Sequence, residues 1–508
     1  MLKFYLSHIE FKLGKLYEIW LGGLTKNLKI MKKYYNEGMN MLYGTQQKIL
    51  LKIKNPEHEY LELINKEYDF QDAIKILDKI DWDFKDFTTQ YLTHTFHSYP
   101  ARFIPQIPLS FIKLFTKEKE TVLDPMCGCG TTLVEAFLNN RNSIGNDFNP
   151  LATLITKVKT TLIDENEFRY FNKKLAVMKR YLDLDYRRVD ERINNLPNRK
   201  VSKIFNRVVI SKLESIRETL LEVKEEGHND LFDFGRVALS STIWSLVENG
   251  NGIDVDDIFI KKVKSMQNEI NKMSKIIKTT PQVRVICGDA RKLDVENDSI
   301  DLIVTSPPYV NALDYYRAHM YNMLWLGMDF DLFRKHEIGG HSHFIMNRFR
   351  LLSEYLGDML RSMIEMNRVL KKDKLCVIVV GNSSLEYELI ESHKFFADMG
   401  KKIGFKPIKT IFRNIDKTRK YTSADIGKID DEYILVMQKV DNADISADDD
   451  NFVSEVVKEQ MTKFREQVKK NPGTSIRGKK PSSERLLKNV DKISEAIETI
   501  SKDIKIKR

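Results

Sequence analysis

Residues 121–132 have the sequence Thr-Val-Leu-Asp-Pro-Met-Cys-Gly-Cys-Gly-Thr-Thr, and they are the strongest indication of the fold class. A short apolar run, Thr121–Asp124, leads through a glycine-rich turn into a helical pattern over Thr131–Asn140. This order is typical of the first strand-to-helix turn in a doubly wound α/β sheet, where a nucleotide-like cofactor binds. Because glycine has no Cβ, the backbone can turn tightly there and come close to a ligand. The candidate cofactor-binding residues of the stretch are Asp124, Pro125, Gly128, Gly130 and Thr131.

Strands and helices alternate on both sides of this stretch. Apolar runs predict six further strands, at 142–147, 283–289, 300–306, 374–381, 405–415 and 432–439. Helical spacing predicts helices at 150–162, 345–370 and 388–403. The Val, Ile and Leu runs fit strands that are buried on both faces of a parallel sheet. We therefore predict an α/β fold with a doubly wound, seven-stranded Rossmann-like sheet. No evident helix joins the last two strands, so we expect one of them to be antiparallel.

The cysteines and the apolar segments indicate the compartment. Four cysteines (Cys127, Cys129, Cys287 and Cys376) are too few and too scattered for a disulfide framework, which suits a reducing environment. No second ligand pair accompanies Cys127 and Cys129, so we expect no metal site. No uncharged apolar run reaches the roughly eighteen residues of a membrane span. Charged residues interrupt the first twenty positions, unlike a secretory signal. We therefore expect a cytoplasmic protein that does not bind a membrane.

Two acidic residues end predicted strands near the glycine turn. Asp147 closes the second strand, where a carboxylate can accept hydrogen bonds from both ribose hydroxyls of a nucleoside. Asp289 closes the third strand, where it can accept from an adenine amino group. Each residue alone would more often be a plain helix cap or turn aspartate. Their place at the ends of successive strands of one sheet indicates a nucleoside site.

A proline-rich motif, Thr305-Ser-Pro-Pro-Tyr309, closes the fourth strand. It resembles the catalytic motif of the S-adenosylmethionine-dependent amino-methyltransferases, Asp/Asn/Ser-Pro-Pro-Tyr/Phe/Trp. Because serine takes the first place, it is most similar to the DNA cytosine-N(4) branch. Phe96–Pro105 resembles the segment that precedes the cofactor loop in this family. Asn311–His319 and Trp325–Gly327 are similar to the segments that come after the motif in these enzymes.

The resemblance, which covers His94–Pro150 and Val283–Lys439, implies an activity, a cofactor and partners. It implies a Rossmann-like methyltransferase fold and a DNA (cytosine-N4-specific) methyltransferase that uses S-adenosylmethionine. The expected partners are double-stranded DNA and, in a restriction-modification system, a cognate restriction endonuclease that shares the target site. Tyr99 and Pro100 join the cofactor-binding candidates. The catalytic candidates are Ser306, Pro307, Pro308 and Tyr309.

The Pro-Pro motif suits methylation of an exocyclic amine. Such an amine is a poor nucleophile because its lone pair is delocalised into the ring. The Ser306 hydroxyl and the Pro307 carbonyl can accept its two N–H groups, which favours a pyramidal nitrogen aimed at the methyl donor. Two prolines restrict the backbone, so little reorganisation is needed. Tyr309 offers a flat face to a base that has left the duplex. No cysteine follows a proline, so a ring-carbon mechanism is not expected.

Three alternatives remain open from the sequence. An adenine-N(6) DNA enzyme usually has Asp or Asn where this chain has Ser306. An RNA amino-methyltransferase usually has Asp-Pro-Pro together with an added RNA-binding domain. A catalytically dead DNA-binding relative would have a broken cofactor loop or Pro-Pro motif, and both are intact here.

The distribution of charged and apolar residues along the 508-residue chain predicts five parts. These are a helical N-terminal extension (1–90), a cofactor-binding half (91–162), a helical insertion (163–280), a catalytic half (281–440), and an acidic linker with a basic helical tail (441–508). Target recognition could lie in the insertion, in 319–344 or in the tail.

Charged clusters outside the motifs have two interpretations each. Residues 451–508 hold 15 Lys and Arg against 8 Asp and Glu, a surplus of +7 within a net charge of +10. Such a tail is either a solvated helix or a phosphate-binding segment. The same alternatives apply to the loop cluster Arg413, Lys417, Arg419 and Lys420. His336, His341 and His343, with Glu337, are expected to face DNA or solvent rather than a metal.

Overall fold

The computed structural model describes residues 56–182, 204–249, 254–311, 314–340, 346–415, 431–473 and 483–506. The chain divides into two compact units, residues 1–63 and 64–508. Of the first unit, only residues 56–63 are described, within helix α1 (Pro56–Ile64). Most of the predicted N-terminal extension therefore lies outside the described residues, and the features below belong to the second unit.

A seven-stranded sheet forms the centre of the second unit. It confirms the predicted doubly wound α/β fold, because its strands lie in the order β3-β2-β1-β4-β5-β9-β8. Strand β9 runs antiparallel to both of its neighbours, and the other pairs are parallel. A separate hairpin consists of β6 and β7. The strands are β1 (Thr121–Asp124), β2 (Asn142–Asp147), β3 (Val283–Cys287), β4 (Ile300–Thr305), β5 (Leu370–Gly381), β6 (Ser383–Leu385), β7 (Glu388–Ile390), β8 (Phe405–Asn414) and β9 (Asp431–Lys439).

Helices cover both faces of the sheet. In chain order they are α2 (Phe70–Ile76), α3 (Gln106–Phe115), α4 (Thr131–Leu138), α5 (Pro150–Lys159), α6 (Glu165–Leu182), α7 (Arg207–Glu225), α8 (Asn229–Asn249), α9 (Val255–Ile276), α10 (Tyr315–Trp325), α11 (Phe330–His336), α12 (Phe349–Val369), α13 (Ser392–Lys402), α14 (Asp450–Lys470) and α15 (Ser483–Ile506). None of the described helices is both long enough and apolar enough to cross a membrane.

The strand order determines where a ligand can bind. β1 lies between β2 and β4, so the chain moves outward from β1 in both directions along the sheet. In such sheets the loops on the two sides separate at this point and leave a crevice at the carboxyl ends of the strands. Val122 and Leu123 are fully buried, and every residue of β4 is buried. The loops that follow β1 and β4 therefore begin from rigidly held strands.

The predicted basic tail forms part of the hydrophobic core. Helices α14 and α15 pack on α12, and apolar side chains such as Val457, Phe464 and Ile500 are buried in the same core as the strand residues. These burials hold the tail helices to the sheet domain. The two described helices of the tail are therefore structural elements of the domain rather than a solvated appendage.

The helical insertion corresponds to α6 through α9. Its apolar residues form a second core together with residues of α5, α10 and α11. Leu213, Phe234 and Phe259 are fully buried at the centre of this core. The insertion therefore packs directly behind helices that follow the cofactor and catalytic loops.

One predicted element differs in kind from the structure. The helix predicted over 388–403 begins only at Ser392, and Glu388–Ile390 instead forms strand β7. Glu388 and Ile390 are buried while the residue between them is half-buried, which is the alternation of a strand. A three-residue alternation is too short to be recognised beside the strong helical period that follows it. Two predicted strands also end earlier, so Asp289 and Ser306 lie in the loops.

Candidate cofactor and catalytic site

A cleft opens at the carboxyl edge of the sheet, beyond the ends of β1 to β4. It encloses about 820 Å³, including the part that is open to solvent, which is within the usual size of small-molecule sites. Eight of the predicted site residues line it: Tyr99, Pro125, Gly128, Thr131, Asp147, Asp289, Ser306 and Pro308. The other five lie outside its lining: Pro100, Asp124, Gly130, Pro307 and Tyr309.

The two glycines of the loop after β1 have different roles. Both have left-handed backbone conformations, with φ of 49° at Gly128 and 80° at Gly130. Gly128 lines the cleft, and a Cβ there would lie 3.5 Å from Cε1 of Tyr99. At Gly130 a Cβ would come within 2.7 Å of the Thr156 side chain. Gly130 is therefore required by the packing of the turn, whereas at Gly128 it is the left-handed backbone that favours glycine.

Asp147 faces the cleft and also fastens the loop after β1. Its Oδ2 accepts the backbone N–H of Gly128 at 2.8 Å, and its Oδ1 accepts that of Asn149 at 2.8 Å. Burial raises the pKa of Asp147 to about 6, although both hydrogen bonds act to lower it. Each carboxylate oxygen has a further lone pair, so the side chain can still accept from a ligand hydroxyl.

Asp124, by contrast, lies behind the loop. Its side chain is buried, Oδ2 accepts the hydroxyl of Thr132 at 2.8 Å, and Oδ1 accepts the backbone N–H of Met126 at 3.3 Å. Burial raises the pKa of Asp124 to about 7. This carboxyl braces the turn between β1 and α4 from inside the protein, and its position gives it no contact with the cleft.

Asp289 lines the cleft as one end of a charged network. The Arg291 guanidinium donates to both of its carboxylate oxygens, at 2.9 Å and 2.7 Å, and also donates to Asp358 at 2.7 Å. Burial acts to raise the pKa of Asp289, but the bonds from Arg291 outweigh it and lower the pKa. The side chain is therefore an ionised acceptor whose orientation is set by Arg291.

The Ser306–Tyr309 segment begins immediately after β4. Ser306 and Pro308 line the cleft, and the hydroxyl of Tyr355 donates to the Pro308 carbonyl at 2.9 Å. The Tyr309 hydroxyl donates to Oε1 of Glu432 at 2.9 Å. Since β5 lies between β4 and β9, the Tyr309 side chain crosses the end of β5. Ser306 therefore lines the cleft, and the hydroxyl of Tyr309 in the same segment is held by Glu432.

Arg413 has partners inside the protein. Its guanidinium forms an ion pair with Glu432 and donates to the Trp82 carbonyl at 2.9 Å. The side chain is buried, so it stabilises the end of β8 and is not placed to bind a phosphate. The other members of the predicted basic cluster, Lys417, Arg419 and Lys420, lie outside the described residues.

His336 belongs to the wall of the cleft. Its ring stacks on Phe148 with a centroid distance of 5.0 Å and an interplanar angle of 28°. The neighbouring Glu337 accepts the backbone N–H of Tyr315 at 2.7 Å. Within the described ranges, no group of three or more His, Cys, Asp or Glu side chains is placed to hold a metal ion. His341 and His343 lie outside those ranges.

Two buried residues that the sequence prediction missed hold the loops in place. Asn146 donates through Nδ2 to the carbonyls of Pro125 and Gly288, each at 3.0 Å, and so joins the loops after β1 and β3. Lys159 is fully buried and donates to the Cys129 carbonyl at 2.9 Å. The place of Asn146, directly before the acidic end of a strand, was a usable signal. No sequence signal indicates the role of Lys159, because it is thirty residues from its partner Cys129.

Tyr99 forms a wall that rests on the insertion. Its ring stacks on His319 at a centroid distance of 4.6 Å. The ring centroids of His319 and Trp244 are 5.7 Å apart. His97, two residues before Tyr99, hydrogen-bonds through Nε2 with the Ser240 hydroxyl at 2.9 Å. Helices α8 and α10 therefore support the segment that carries Tyr99.

These residues fit S-adenosylmethionine, which combines a nucleoside with positively charged sulfonium and amino groups. Asp147 and Asp289 supply carboxylates for hydroxyl, amino or cationic groups. Gly128 lines the cleft next to Tyr99, and the rings of Tyr99 and Phe148 provide apolar walls. These acceptors and apolar walls suit the cofactor.

The chain is similar to known proteins over much of its length. The model of the family described as DNA methylase matches residues 12–157 and 300–496, more than half of the chain. A model described as RMKL-like, methyltransferase domain, matches residues 97–219. The type II methyltransferase M.MvaI of Kocuria varians is 25% identical over 399 residues, which cover 66% of this chain and 87% of that protein.

Two further comparisons span similar shares of the chain. The type II methyltransferase M.MjaII of Methanocaldococcus jannaschii is 23% identical over 463 residues, covering 69% of this chain and 84% of its own. A solved S-adenosylmethionine-dependent methyltransferase from Methanosarcina mazei is 9% identical, covers 64% of this chain and 95% of its own, and has a TM-score of 0.28. By the match to the family model, the chain belongs to the DNA methylases and is an S-adenosylmethionine-dependent DNA amino-methyltransferase of the restriction-modification type.

Proposed function

We propose that this methyltransferase modifies cytosine, transferring the methyl group of S-adenosylmethionine to the exocyclic N4 amine in duplex DNA. The observation that carries the proposal is the position of Ser306. It follows β4 directly and lines the same cleft as Gly128 and Asp147. A serine at the first place of the Pro-Pro motif is the feature that resembles the cytosine-N(4) branch.

The residues of the motif supply the acceptors and the rigid backbone that the amine needs. When bound, the cofactor provides an electrophilic methyl group on its sulfonium. The Ser306 hydroxyl and the Pro307 carbonyl accept the two amine N–H groups and favour a lone pair aimed out of the ring plane. The bond from Tyr355 to the Pro308 carbonyl adds to the rigidity of the segment. Because the Tyr309 hydroxyl is bound to Glu432, Tyr309 contributes its ring face to the base rather than its hydroxyl.

The cofactor is assigned to the carboxyl edge between β1 and β3. In this assignment Asp147 accepts from the ribose hydroxyls, and Asp289 accepts from the adenine amino group. Tyr99, with Pro100 behind it, forms the wall next to Gly128, and Pro125 and Thr131 complete the loop. Asp124 and Gly130 act by holding the turn in shape, since neither lines the cleft.

The substrate geometry requires the target base to leave the duplex. An amine inside a base pair cannot come within reach of Ser306, so we propose that the cytosine is flipped into the site. As the modification enzyme of a restriction-modification system, the protein would share its target sequence with a cognate restriction endonuclease.

Nucleoside analysis tests the base assignment. The protein is expressed in a strain free of other DNA methyltransferases, and its DNA is digested and analysed by mass spectrometry. N4-methylcytosine is expected. N6-methyladenine alone would overturn the assignment to cytosine and establish the adenine alternative, which the same Pro-Pro segment could serve.

A serine substitution tests the role of the motif. We expect Ser306→Ala to lower the rate of methyl transfer by about 100-fold, the usual loss when one group that stabilises the transition state is removed. The control is Ser299→Ala at the opposite end of β4, where the hydroxyl donates only to the nearby Glu296 carbonyl. A wild-type rate for Ser306→Ala would exclude the proposed mechanism.

A further inference from the structure

A hairpin stands beside the catalytic segment. Strands β6 and β7 pair from Ser383↔Ile390 to Leu385↔Glu388, with Glu386 and Tyr387 as the two turn residues. Both turn residues have positive φ, 46° and 71°. Two-residue turns of this kind normally contain Asn-Gly or a similar pair, because other side chains disfavour the left-handed region. This turn therefore depends on bonds from outside the hairpin to keep its shape.

The hairpin contacts the catalytic segment through Asn311. This residue lies two positions after Tyr309 and has φ of 58°, an unusual conformation for a residue other than glycine. Its side chain is buried, and its Nδ2 donates to the Ser384 carbonyl at 3.0 Å. The chain after the Pro-Pro motif is thus hydrogen-bonded to strand β6, so a displacement of the hairpin would also displace this part of the chain.

The other side of the hairpin is held by the C-terminal tail. Glu388 is fully buried and accepts from the Asn489 side chain at 2.8 Å and from the backbone N–H of Gly473 at 2.9 Å. Asn489 also donates to the carbonyl of the turn residue Glu386 at 2.9 Å. Lys492 of α15 comes within 4.0 Å of the Glu386 carboxylate. One buried asparagine of α15 therefore bonds to both the turn and the second strand.

Helix α15 is fastened to the protein independently of these bonds. Ile493, Ala496 and Ile500 are buried in the core with α12 and α14. Asp503, also buried, accepts from Nε of Arg350 at 2.9 Å. The helix can therefore stay docked when Asn489 is changed, so its support of the hairpin can be tested separately from its support of the fold.

From these contacts we propose that Asn489 is a positioning residue for catalysis. It holds the hairpin Ser383–Ile390 in place, and the hairpin in turn holds Asn311 and the Ser306–Tyr309 segment. The inference rests on the proposed role of that segment, but not on which base is methylated. The tail then contributes to the rate of methyl transfer without touching cofactor or base.

The test uses full-length variants and a single-turnover rate. Radiolabelled S-adenosylmethionine and genomic DNA from a methylation-free strain are mixed with excess enzyme. Asn489→Asp places a second carboxylate against Glu388, and we expect the rate to fall about tenfold or more. Calorimetric affinity for S-adenosylhomocysteine should stay within twofold of wild type, because Asn489 is not part of the cleft. Asn489→Leu, which removes the bonds without adding charge, should behave in the same way.

A charge exchange provides the rescue. In Glu388→Gln with Asn489→Asp, the amide and the carboxylate change places, so a bond between positions 388 and 489 can form again, whereas the bond to the Glu386 carbonyl is not restored. We expect this double variant to recover part of the rate that Asn489→Asp loses. The control is Asp503→Asn on the same helix, which breaks the pair with Arg350 and should lower the melting temperature while leaving the single-turnover rate unchanged.

Each outcome separates this proposal from its alternatives. If both Asn489 variants are folded and react at the wild-type rate, or if the double variant recovers nothing, the positioning role is excluded. It is also excluded if Asp503→Asn slows methyl transfer as much as Asn489→Asp, since the effect is then general loosening of the tail. Nucleoside analysis of the same product DNA identifies the base, so an adenine product would reject the cytosine proposal and leave this one intact.

Discussion

The backbone N–H of Gly128 donates to Oδ2 of Asp147 over 2.8 Å, so the carboxylate proposed to bind the cofactor also holds the cofactor loop. Ligand and loop use the same side chain. A change at Asp147 will therefore affect the shape of the empty site as well as the hydrogen bonds made by the ligand.

Cofactor affinity should depend on pH through Asp147. Its pKa is raised to about 6 by burial, so the carboxyl becomes protonated as the pH falls through this value and loses acceptor capacity. We expect calorimetric affinity for S-adenosylmethionine to weaken below about pH 6, by up to tenfold per unit. Asp289, whose pKa is lowered, stays ionised in that window. Asp124, whose pKa is about 7, is present in both wild type and Asp147→Asn, so comparing the two profiles isolates the contribution of Asp147. Asp147→Asn should bind more weakly at pH 8 and show a flatter profile; an unchanged profile would contradict the prediction.

Gly128→Val should abolish tight cofactor binding. A branched side chain there would extend from the left-handed backbone toward Tyr99 and into the cleft. We expect at least a tenfold loss of affinity, about 1.4 kcal/mol, and a loss of stability of about 1–3 kcal/mol from the backbone strain. Gly227→Val is the control, because Gly227 also has positive φ and a Cβ at that position would have no atom within 4 Å. Gly227→Val should lower the free energy of unfolding but leave the affinity for the cofactor unchanged.

His319→Phe should stabilise the protein. His319 is fully buried, and in the described part of the chain neither ring nitrogen has a hydrogen-bond partner. Phenylalanine keeps a ring against Tyr99 and removes the unsatisfied nitrogens, which should raise the free energy of unfolding by about 1–2 kcal/mol at pH 7.

The increase in the free energy of unfolding from His319→Phe should be larger at acidic pH. Burial lowers the pKa of His319 to about 3, below the unfolded value of about 6.5. Protonation then favours the unfolded state, so the wild type loses stability as the pH falls below about 6.5 while the variant lacks this loss. At pH 5 the additional difference should approach about 2 kcal/mol in chemical unfolding. His58→Phe at an exposed position is the control, and an equal gain there would count against the explanation.

The contribution of the tail to DNA affinity should be tested on its surface, not by deletion. Deleting 451–508 would remove core residues such as Val457 and Phe464 and unfold the domain, with each large side chain costing about 2–5 kcal/mol. Replacing exposed tail lysines by glutamine should flatten log affinity against log salt, by about one unit for each DNA phosphate that a lysine no longer neutralises. The lysines are Lys458, Lys469, Lys470 and Lys488.

The matched set lies near the amino ends of the strands, on the opposite edge from the cleft. It consists of the exposed lysines Lys66, Lys117, Lys119 and Lys372. Their replacement makes the same change in net charge. If both sets alter the slope equally, the tail has no specific part in binding DNA.

The sequence alone predicted the sheet and the edge at which the site lies. β1 and β2 begin and end at the predicted residues, and the antiparallel strand was expected from the missing helix. These features follow from local rules: apolar runs mark buried strands, glycines mark the turn, and acidic or Pro-Pro residues at strand ends meet at one edge of a parallel sheet. The cofactor loop and Ser306 could therefore be found without a structure.

The roles of the individual side chains, by contrast, depend on tertiary packing. Asp124 and Asp147 look alike in sequence, but one is enclosed behind the turn and the other faces the cleft. The basic tail has the charge of a solvated helix, yet its apolar face completes the core, and Asn489 reaches a hairpin about one hundred residues away. Burial and hydrogen bonding depend on which distant segments pack together, and the local sequence pattern does not indicate which segments these are.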